Sequence, residues 1–236
     1  MKLTKNFYEN KAWQNNKLVC GLDEVGRGCL AGPVVTAACV LPVNTNYNNL
    51  KDSKIMTKQE REEAFVWINK NCFYSIAIFD HKKIDKFNIY QATKLAMQKA
   101  LLQLIYQNKF NILDLEFVLS DAMPLSPFAL SAVACHVVEG LKNGLEFYHF
   151  PKGETYSTSI AAASIVAKVF RDNLMDKINN IFPEFNFKAH KGYGTSEHLN
   201  IINSNGISII HRKSFLGKIQ AKNNLIKNHE KQICLF

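Results

Sequence analysis

The sequence predicts an α/β domain with a helical C-terminal extension, and three observations carry that expectation. Short β-type apolar runs occupy the first eighty residues, a long segment of helical periodicity spans Ser159 to Ile178, and the chain turns polar and basic after Pro183.

In chain order, Leu18 to Val25 reads as a buried strand, Gly32 to Leu41 (GPVVTAACVL) as a second and Cys72 to Phe79 (CFYSIAIF) as a third. Lys58 to Asn69 has a helical pattern with Thr57 placed to cap it. Asn88 to Tyr106 repeats apolar residues at helical spacing through Ile89, Ala92, Leu95, Ala96, Ala100 and Ile105. Leu115 to Ser120 is a short apolar strand that stops at Asp121. In the long helix, Ile160, Ala163, Ala167, Phe170, Leu174 and Ile178 form one apolar stripe, and Ala161 to Ala163 permit close packing against a neighbour. Shorter helical patterns follow near Ser196 to Ile202 and Phe215 to Asn228. The expected organisation is an α/β domain over 1–180, a helical region over 181–228 packing beside it, and a flexible tail over 229–236.

With 236 residues, 47% of them hydrophobic and 21% charged, the chain has material for one large core. No apolar run reaches the roughly 20 residues that span a bilayer, and Met1 to Asn16 lack the apolar core of a secretory signal, so the expectation is a cytoplasmic protein. Cys20, Cys29, Cys39, Cys72, Cys135 and Cys234 are scattered, which excludes a zinc motif or a disulfide framework as the organising feature. The net charge of +9 suits a polyanionic partner, nucleic acid above all, although abundant Asn, Ile and Lys also fit an AT-rich genome.

The densest chemistry lies in Gly21-Leu22-Asp23-Glu24-Val25-Gly26-Arg27-Gly28. Gly26, Gly28 and Ala31 match a dinucleotide fingerprint in form, but Gly32-Pro33-Val34-Val35 follows where that motif needs a helix. A phosphate-binding P-loop is excluded by the missing Lys-Ser/Thr pair. Adjacent Asp23 and Glu24 can share a site only where the strand ends and bends, since neighbouring strand residues face opposite ways. Two readings stay open at this point: a solvated acidic turn paired with Arg27, or ligands for Mg²⁺ or Mn²⁺. Asp121 and Glu154 bring two further carboxylates, and four acids from three segments suit a two-metal site for phosphoryl displacement. No convincing Ser/His/Asp or Cys/His set offers a protein nucleophile.

GLDEVGRGCLAGPVV, KDSKIMTKQERE, NIYQATKLAM, SIAAASIVAKVFRD, HKGYGTSEH and HRKSF occur in that order. In these segments the chain resembles the type 2 ribonuclease H family, in particular the bacterial ribonucleases HII, from about Leu18 to Leu216. The resemblance implies a ribonuclease H-like fold, a central mixed sheet with helices on both faces. It implies an endoribonuclease hydrolysing the phosphodiester 5′ to ribonucleotides, both in RNA/DNA hybrids and as single residues embedded in DNA, and leaving 3′-hydroxyl and 5′-phosphate ends. It assigns Asp23, Glu24 and Asp121 as metal ligands with Glu154 as the fourth acid. It assigns Gly26, Arg27 and Gly28 to the loop whose backbone reads the ribose 2′-hydroxyl, and Tyr193 to the sugar beside it. Lys54 and Lys191 become phosphate contacts, while Asp172 is read as a structural partner of Lys168.

Two departures stand out. Lys152-Gly153-Glu154 carries Glu where the type 2 pattern has Asp, a feature of the type 3 relatives; those also have an extra N-terminal domain, whereas 22 residues precede Asp23. Pro127 to Leu141 reads as an inserted helix. The last five residues, Gln232 to Phe236, resemble the peptide that docks bacterial proteins on the replication sliding clamp, with Gln232, Leu235 and Phe236 as its anchors. The rival readings are a type 3-like enzyme restricted to long hybrids and a non-catalytic nucleic-acid or clamp-binding protein. The expected state is a monomer.

Overall fold

A computed structural model describes residues 4–107, 110–125 and 144–217. The expected insertion at 127–141 and the clamp peptide at 232–236 lie outside the described residues, as does the helical pattern beyond residue 217.

Five strands form one mixed sheet in the order β3-β2-β1-β4-β5, with β1 Leu18–Val25, β2 Val34–Val40, β3 Phe73–Phe79, β4 Leu115–Asp121 and β5 Glu146–Phe150. β1 runs antiparallel to β2 and parallel to β4, and β5 is parallel to β4. The central strands are covered on both sides, so β2 is buried at every position and reads as a continuous apolar run. β5 was not anticipated. It is an edge strand whose EFYHF sequence has no buried residue to betray it.

The helices are α1 Phe7–Gln14, α2 Lys58–Asn71, α3 His81–Tyr106, α4 Thr158–Asn179, α5 Phe187–His190 and α6 Ser196–Asn205. On one face, Val35, Ala37 and Cys39 of β2 meet Ala64 and Ile68 of α2 and Ala163, Val166 and Ala167 of α4. On the other, Cys20, Leu22, Ala38 and Val40 meet Met97, Leu101 and Leu104 of α3. The alternation of β2 thus feeds both cores. Among the described residues no helix is long and apolar enough to cross a membrane.

Thr57 caps α2 in a full capping box with Glu60, an arrangement that contributes on the order of 1 kcal/mol. The helix expected from Asn88 is present, but α3 begins earlier, at the Asp80 cap, and breaks at Asn88 (φ 62°, ψ 164°). The Asn88 side chain accepts from the Gln91 N–H and so restarts the helix where the apolar spacing starts.

α4 matches its expected span, but its stripe is rotated in the second half. Arg171 and Met175 are buried there, and Phe170, Leu174 and Ile178 are half-buried. Its first turn lies hard against β1: a Cβ on Gly21 would stand 2.1 Å from the carbonyl carbon of Ser159. α1, also unanticipated, holds the same end. Buried Glu9 accepts from Ser157 Oγ and from the Ser159 N–H (3.1 Å), and Asn6 Oδ1 accepts from the Thr158 N–H (3.1 Å). A carboxylate at a helix N-terminus is favourably placed against the helix dipole.

Candidate metal and nucleic-acid site

The topology decides where the acids fall. β1 and β4 are parallel neighbours, so Asp23-Glu24 and Asp121 lie at the same edge of the sheet. The β1–β4 ladder ends at Leu22↔Ser120, while β1 stays paired with β2 through Val25. The strand therefore does not end at the acidic pair, as expected, but it is released there on the β4 side.

Beyond β4 the chain turns at Ala122 (φ 50°), follows β5, and returns through Lys152 (φ 60°) into a 3₁₀ turn at Gly153–Thr155. Gly153 donates its N–H to Asp121 Oδ1 at 2.8 Å; a Cβ here would meet Ile160 Cδ1 at 2.6 Å and Asp121 Cα at 3.3 Å. The glycine lets this turn lie against Asp121 and so brings Glu154 into the site.

Each acid has a protein partner. Asp23 is buried, takes the Glu24 N–H at 2.7 Å and is bonded to Ser164 on α4, which is 2.9 Å from Ser53 Oγ. Glu24 pairs with Arg27 at 3.2 Å and Glu154 with Lys54 at 3.2 Å. Burial pushes the Asp23 carboxyl well above its ordinary range, reinforced by the charges of Glu24 and Asp121. Burial raises Glu24 as well, against the lowering pull of Arg27, with Asp121 adding to the rise. Lys54 is raised by the charges of Glu154, Asp23 and Asp52 in spite of partial burial. The four acids thus share one electrostatic neighbourhood.

Among the described residues no three His, Cys, Asp or Glu side chains are grouped as a ready-made ligand set, and a donor of the protein holds each of the four acids. Two oxygens are nevertheless left over. Glu24 Oε2 and Glu154 Oε2 are buried with no hydrogen-bond partner among the described residues. An orphaned buried carboxylate oxygen costs about 1–3 kcal/mol or more. Hard oxygen donors left unpaired, in a site whose acids repel one another, fit a divalent cation.

Beside the acids, the Gly26–Gly28 loop is built from behind. Arg212 is fully buried and donates to three carbonyls, Gly26 O (2.7 Å), Arg27 O (2.8 Å) and Gly32 O (2.9 Å). Arg171, equally buried, donates to Pro33 O (3.0 Å), Lys191 O (2.9 Å) and Ala31 O (3.3 Å). Burial lowers Arg212 to about 10. Gly26 has φ +91°, and a Cβ on it would stand 2.3 Å from Arg171 Nε. Gly28 is different: it is exposed, and nothing lies within 4 Å of where its Cβ would be. The fold does not require glycine there, and the bare backbone faces open space.

Tyr193 reaches the same place from the other side. It bridges to Cys29, is 37% exposed, and has the Arg171 guanidinium 5.8 Å from its ring centroid. Of the two lysines, Lys54 is exposed beside Glu154, whereas Lys191 is folded back onto Asp176. Asp172 pairs with Lys168 at 2.9 Å, the structural role expected of it.

The reading from sequence missed Ser53, Ser164, Arg171 and Arg212. Arg171 had a signal. It stands four residues after Ala167 and four before Met175, in phase with the buried face of α4, where a charge has no place without a partner. Arg212 lies in the HRKSF segment that carries the resemblance, but no periodicity there marks it as buried.

A mixed five-stranded sheet with helices on both faces, and with carboxylates gathered at the ends of two parallel strands, is a ribonuclease H-like fold. The chain belongs to the ribonuclease HII family, whose model matches residues 20–218. The ribonuclease HII of Lactobacillus gasseri is 42% identical over 209 residues, 88% of this chain and 74% of that protein. The ribonuclease HII of Clostridioides difficile is 39% identical over 222 residues, 92% and 77% of the two chains.

Among solved structures, the ribonuclease H2 from Pyrococcus horikoshii superposes with a TM-score of 0.65 at 24% identity, covering 87% of this chain and 98% of that one. The Archaeoglobus fulgidus RNase HII, solved in complex with PCNA, gives 0.59 at 24% identity over 83% and 92% of the chains. Bst-RNase HIII in complex with Mn²⁺ gives 0.55 at 18% identity over 83% and 65%. These likenesses show the fold. The family relation shows a ribonuclease H that depends on divalent metal.

Proposed function

We propose that this chain hydrolyses the phosphodiester on the 5′ side of ribonucleotides, in RNA/DNA hybrids and as single residues in DNA, leaving 3′-hydroxyl and 5′-phosphate ends. The observation that carries this reading is the pair of orphaned buried oxygens, Glu24 Oε2 and Glu154 Oε2, set among Asp23 and Asp121. These four carboxylates would hold two Mg²⁺ or Mn²⁺ ions. Such ions supply an activated water and a counter-charge for the leaving oxygen.

The rest is the work of the protein's own residues. Gly26, Arg27 and Gly28 present a backbone that a ribose can approach, pinned from behind by Arg212. Only the 2′-hydroxyl separates ribose from deoxyribose, so a bare backbone at this point is the economical reader. Tyr193 stacks on the neighbouring sugar and senses the RNA-to-DNA junction. Lys54 and Lys191 contact phosphates, and Lys191 must then share or leave Asp176.

Two duplexes test the reading, each with Mg²⁺ and with Mn²⁺: one DNA duplex with a single ribonucleotide, and one continuous RNA/DNA hybrid. Cleavage of both, with the first cut 5′ to the ribonucleotide, is the expected result. Cleavage of the hybrid alone supports the second reading, a type 3-like specificity, which the Glu at position 154 favours.

The replication sliding clamp is proposed as a partner through Gln232, Leu235 and Phe236. The Archaeoglobus fulgidus RNase HII, solved bound to PCNA, supports a clamp as the kind of partner. Titrating clamp with the full chain and with a chain lacking the last five residues decides it; equal affinity sinks the idea.

A further inference from the structure

Behind Tyr193 lie three buried histidines that the proposed chemistry does not use: His190, His198 and His211. His190 stacks on His198 with ring centroids 4.1 Å apart, and His198 Nε2 is 3.1 Å from His211 Nε2. The backbone orders the protons of this cluster, with Ser208 Oγ also 2.8 Å from His211 Nδ1 as a hydroxyl that can turn to suit. The Ser208 N–H points at His211 Nδ1 (2.8 Å), so that nitrogen accepts and the His211 proton sits on Nε2. His211 Nε2–H then donates to His198 Nε2, which must be bare, leaving the His198 proton on Nδ1. From there it donates to the Tyr193 carbonyl at 2.9 Å. The chain of bonds runs one way, from Ser208 to Tyr193.

This relay closes a frame around the ribose-reading loop. Residues 29–32, which follow the Gly26–Gly28 turn, bridge on one side to Tyr193 and on the other to His211. Leu30 takes Arg212 N–H on its carbonyl and gives its own N–H to Gly192 O, each at 2.8 Å. The His198–His211 bond ties the two outer segments together directly.

We propose that His198 and His211 are positioning residues for Tyr193, a one-way hydrogen-bond relay that sets the tyrosine against the loop and holds only while both imidazoles are neutral. The inference rests on the junction-reading role given to Tyr193 above.

Neutrality follows from the geometry. A second proton on His211 must go to Nδ1, against the Ser208 N–H even though Ser208 Oγ at 2.8 Å can accept it; one on His198 must go to Nε2, against the His211 N–H. Either charge breaks a bond of the relay. The titratable neighbours are His190 stacked on the pair, His81 at the start of α3, and Glu197 beside His198, while Arg171 and Arg212 bond the carbonyls of residues 31–33. Burial lowers His198 and takes His211 down to about 4, with the neighbouring histidines adding to the effect on both.

The test uses the full chain and the ratio of kcat/KM for the single-ribonucleotide duplex to that for the continuous hybrid, in which the shared metal site cancels. For wild type the ratio is expected to be flat from about pH 6 to 8.5, where both rings stay neutral. His211→Leu, which cuts the relay, lowers it about tenfold through KM, the scale of one lost buried hydrogen bond. His211→Gln, whose amide can still donate to His198, recovers most of it. A ratio insensitive to Tyr193→Ala overturns the junction reading and this inference with it. A ratio sensitive to Tyr193→Ala but untouched by His211→Leu overturns this inference alone. Should the variants fold poorly, imidazole ¹⁵N shifts of the wild type decide: Nδ1–H on His198 and Nε2–H on His211, unchanged from pH 6 to 8, are expected. Titration of either ring within that range overturns the relay.

Discussion

Arg212 Nη2 donates to the carbonyl of Gly26 at 2.7 Å across 186 positions of sequence. With its bonds to Arg27 O and Gly32 O, one guanidinium turns the loop's carbonyls inward, and among the described residues no carboxylate forms an ion pair with it. A planar fork with five donors can do this, and a lysine cannot. Arg212→Lys is therefore expected to cost about 2–4 kcal/mol, a fall in Tm of roughly 5–15 °C for a chain of this size. Thermal unfolding followed by circular dichroism checks it. An unchanged Tm would mean that the three carbonyls find other donors.

Gly26 and Gly28 separate stability from recognition within one loop. A Cβ at Gly26 would collide with Arg171 in a backbone conformation that L-residues rarely adopt, so Gly26→Ala is expected to lose about 1–3 kcal/mol. Gly28→Ala meets no neighbour and should leave stability within about 0.5 kcal/mol of wild type. Its cleavage rate on the single-ribonucleotide duplex should nonetheless fall at least about tenfold, since the methyl occupies the approach of the sugar. Paired melting curves and initial rates read both effects. A fully active Gly28→Ala would remove this loop from substrate contact.

The same loop shows what a sequence can and cannot disclose. Asp23-Glu24 and the glycines were legible, because carboxylates after an apolar strand and glycines before a β-run are local anomalies. The strands β1 to β4 were legible as short apolar runs, α4 by its helical spacing, and the Thr57 cap by its place before a helical pattern. Edge strand β5 was not, since only Phe147 and Phe150 reach a core, both partly buried, and its other residues are exposed. Nor were the roles of Arg171 and Arg212, although Arg171 was legible as a charge on the buried face of α4. Their partners are backbone carbonyls up to 186 positions away, and a carbonyl leaves no mark in the sequence. The four acids were named, as was Arg27 beside the acidic turn, but not the pairing of Glu154 with Lys54.

Metal-free, the acidic cluster should weaken the fold. Asp23 is buried beside two other carboxylates, and Glu24 and Glu154 each hide an unpartnered oxygen. Asp23→Asn removes one charge from that crowd and keeps the shape. It is expected to raise the Tm of the metal-free protein by a few degrees, roughly 1 kcal/mol, while abolishing cleavage. Adding Mg²⁺ or Mn²⁺ at a hundred times its dissociation constant should stabilise wild type by about 2.7 kcal/mol and the variant by much less. Scanning calorimetry with and without metal gives all four values. Equal metal-induced shifts in the two proteins would place the ion elsewhere.

The histidine cluster gives stability a pH dependence of defined sign. His211 is held neutral down to about 4, whereas an unfolded imidazole takes up its proton near 6.5. Below 6.5 the unfolded chain therefore binds more protons than the folded one, so folding is weakened as pH falls. This contribution is complete above about 6.5 and is lost between there and about 4, to the extent of about 3 kcal/mol for the one ring. In His211→Gln that slope should be absent, because an amide does not titrate. Urea unfolding at pH 7.5 and pH 4.5 compares the two, and the difference between proteins isolates His211 from the carboxylates they share. Parallel losses in both would show that the ring charges freely in the fold, and the relay to Tyr193 would then fail at acid pH for a reason other than the one drawn from its hydrogen bonds.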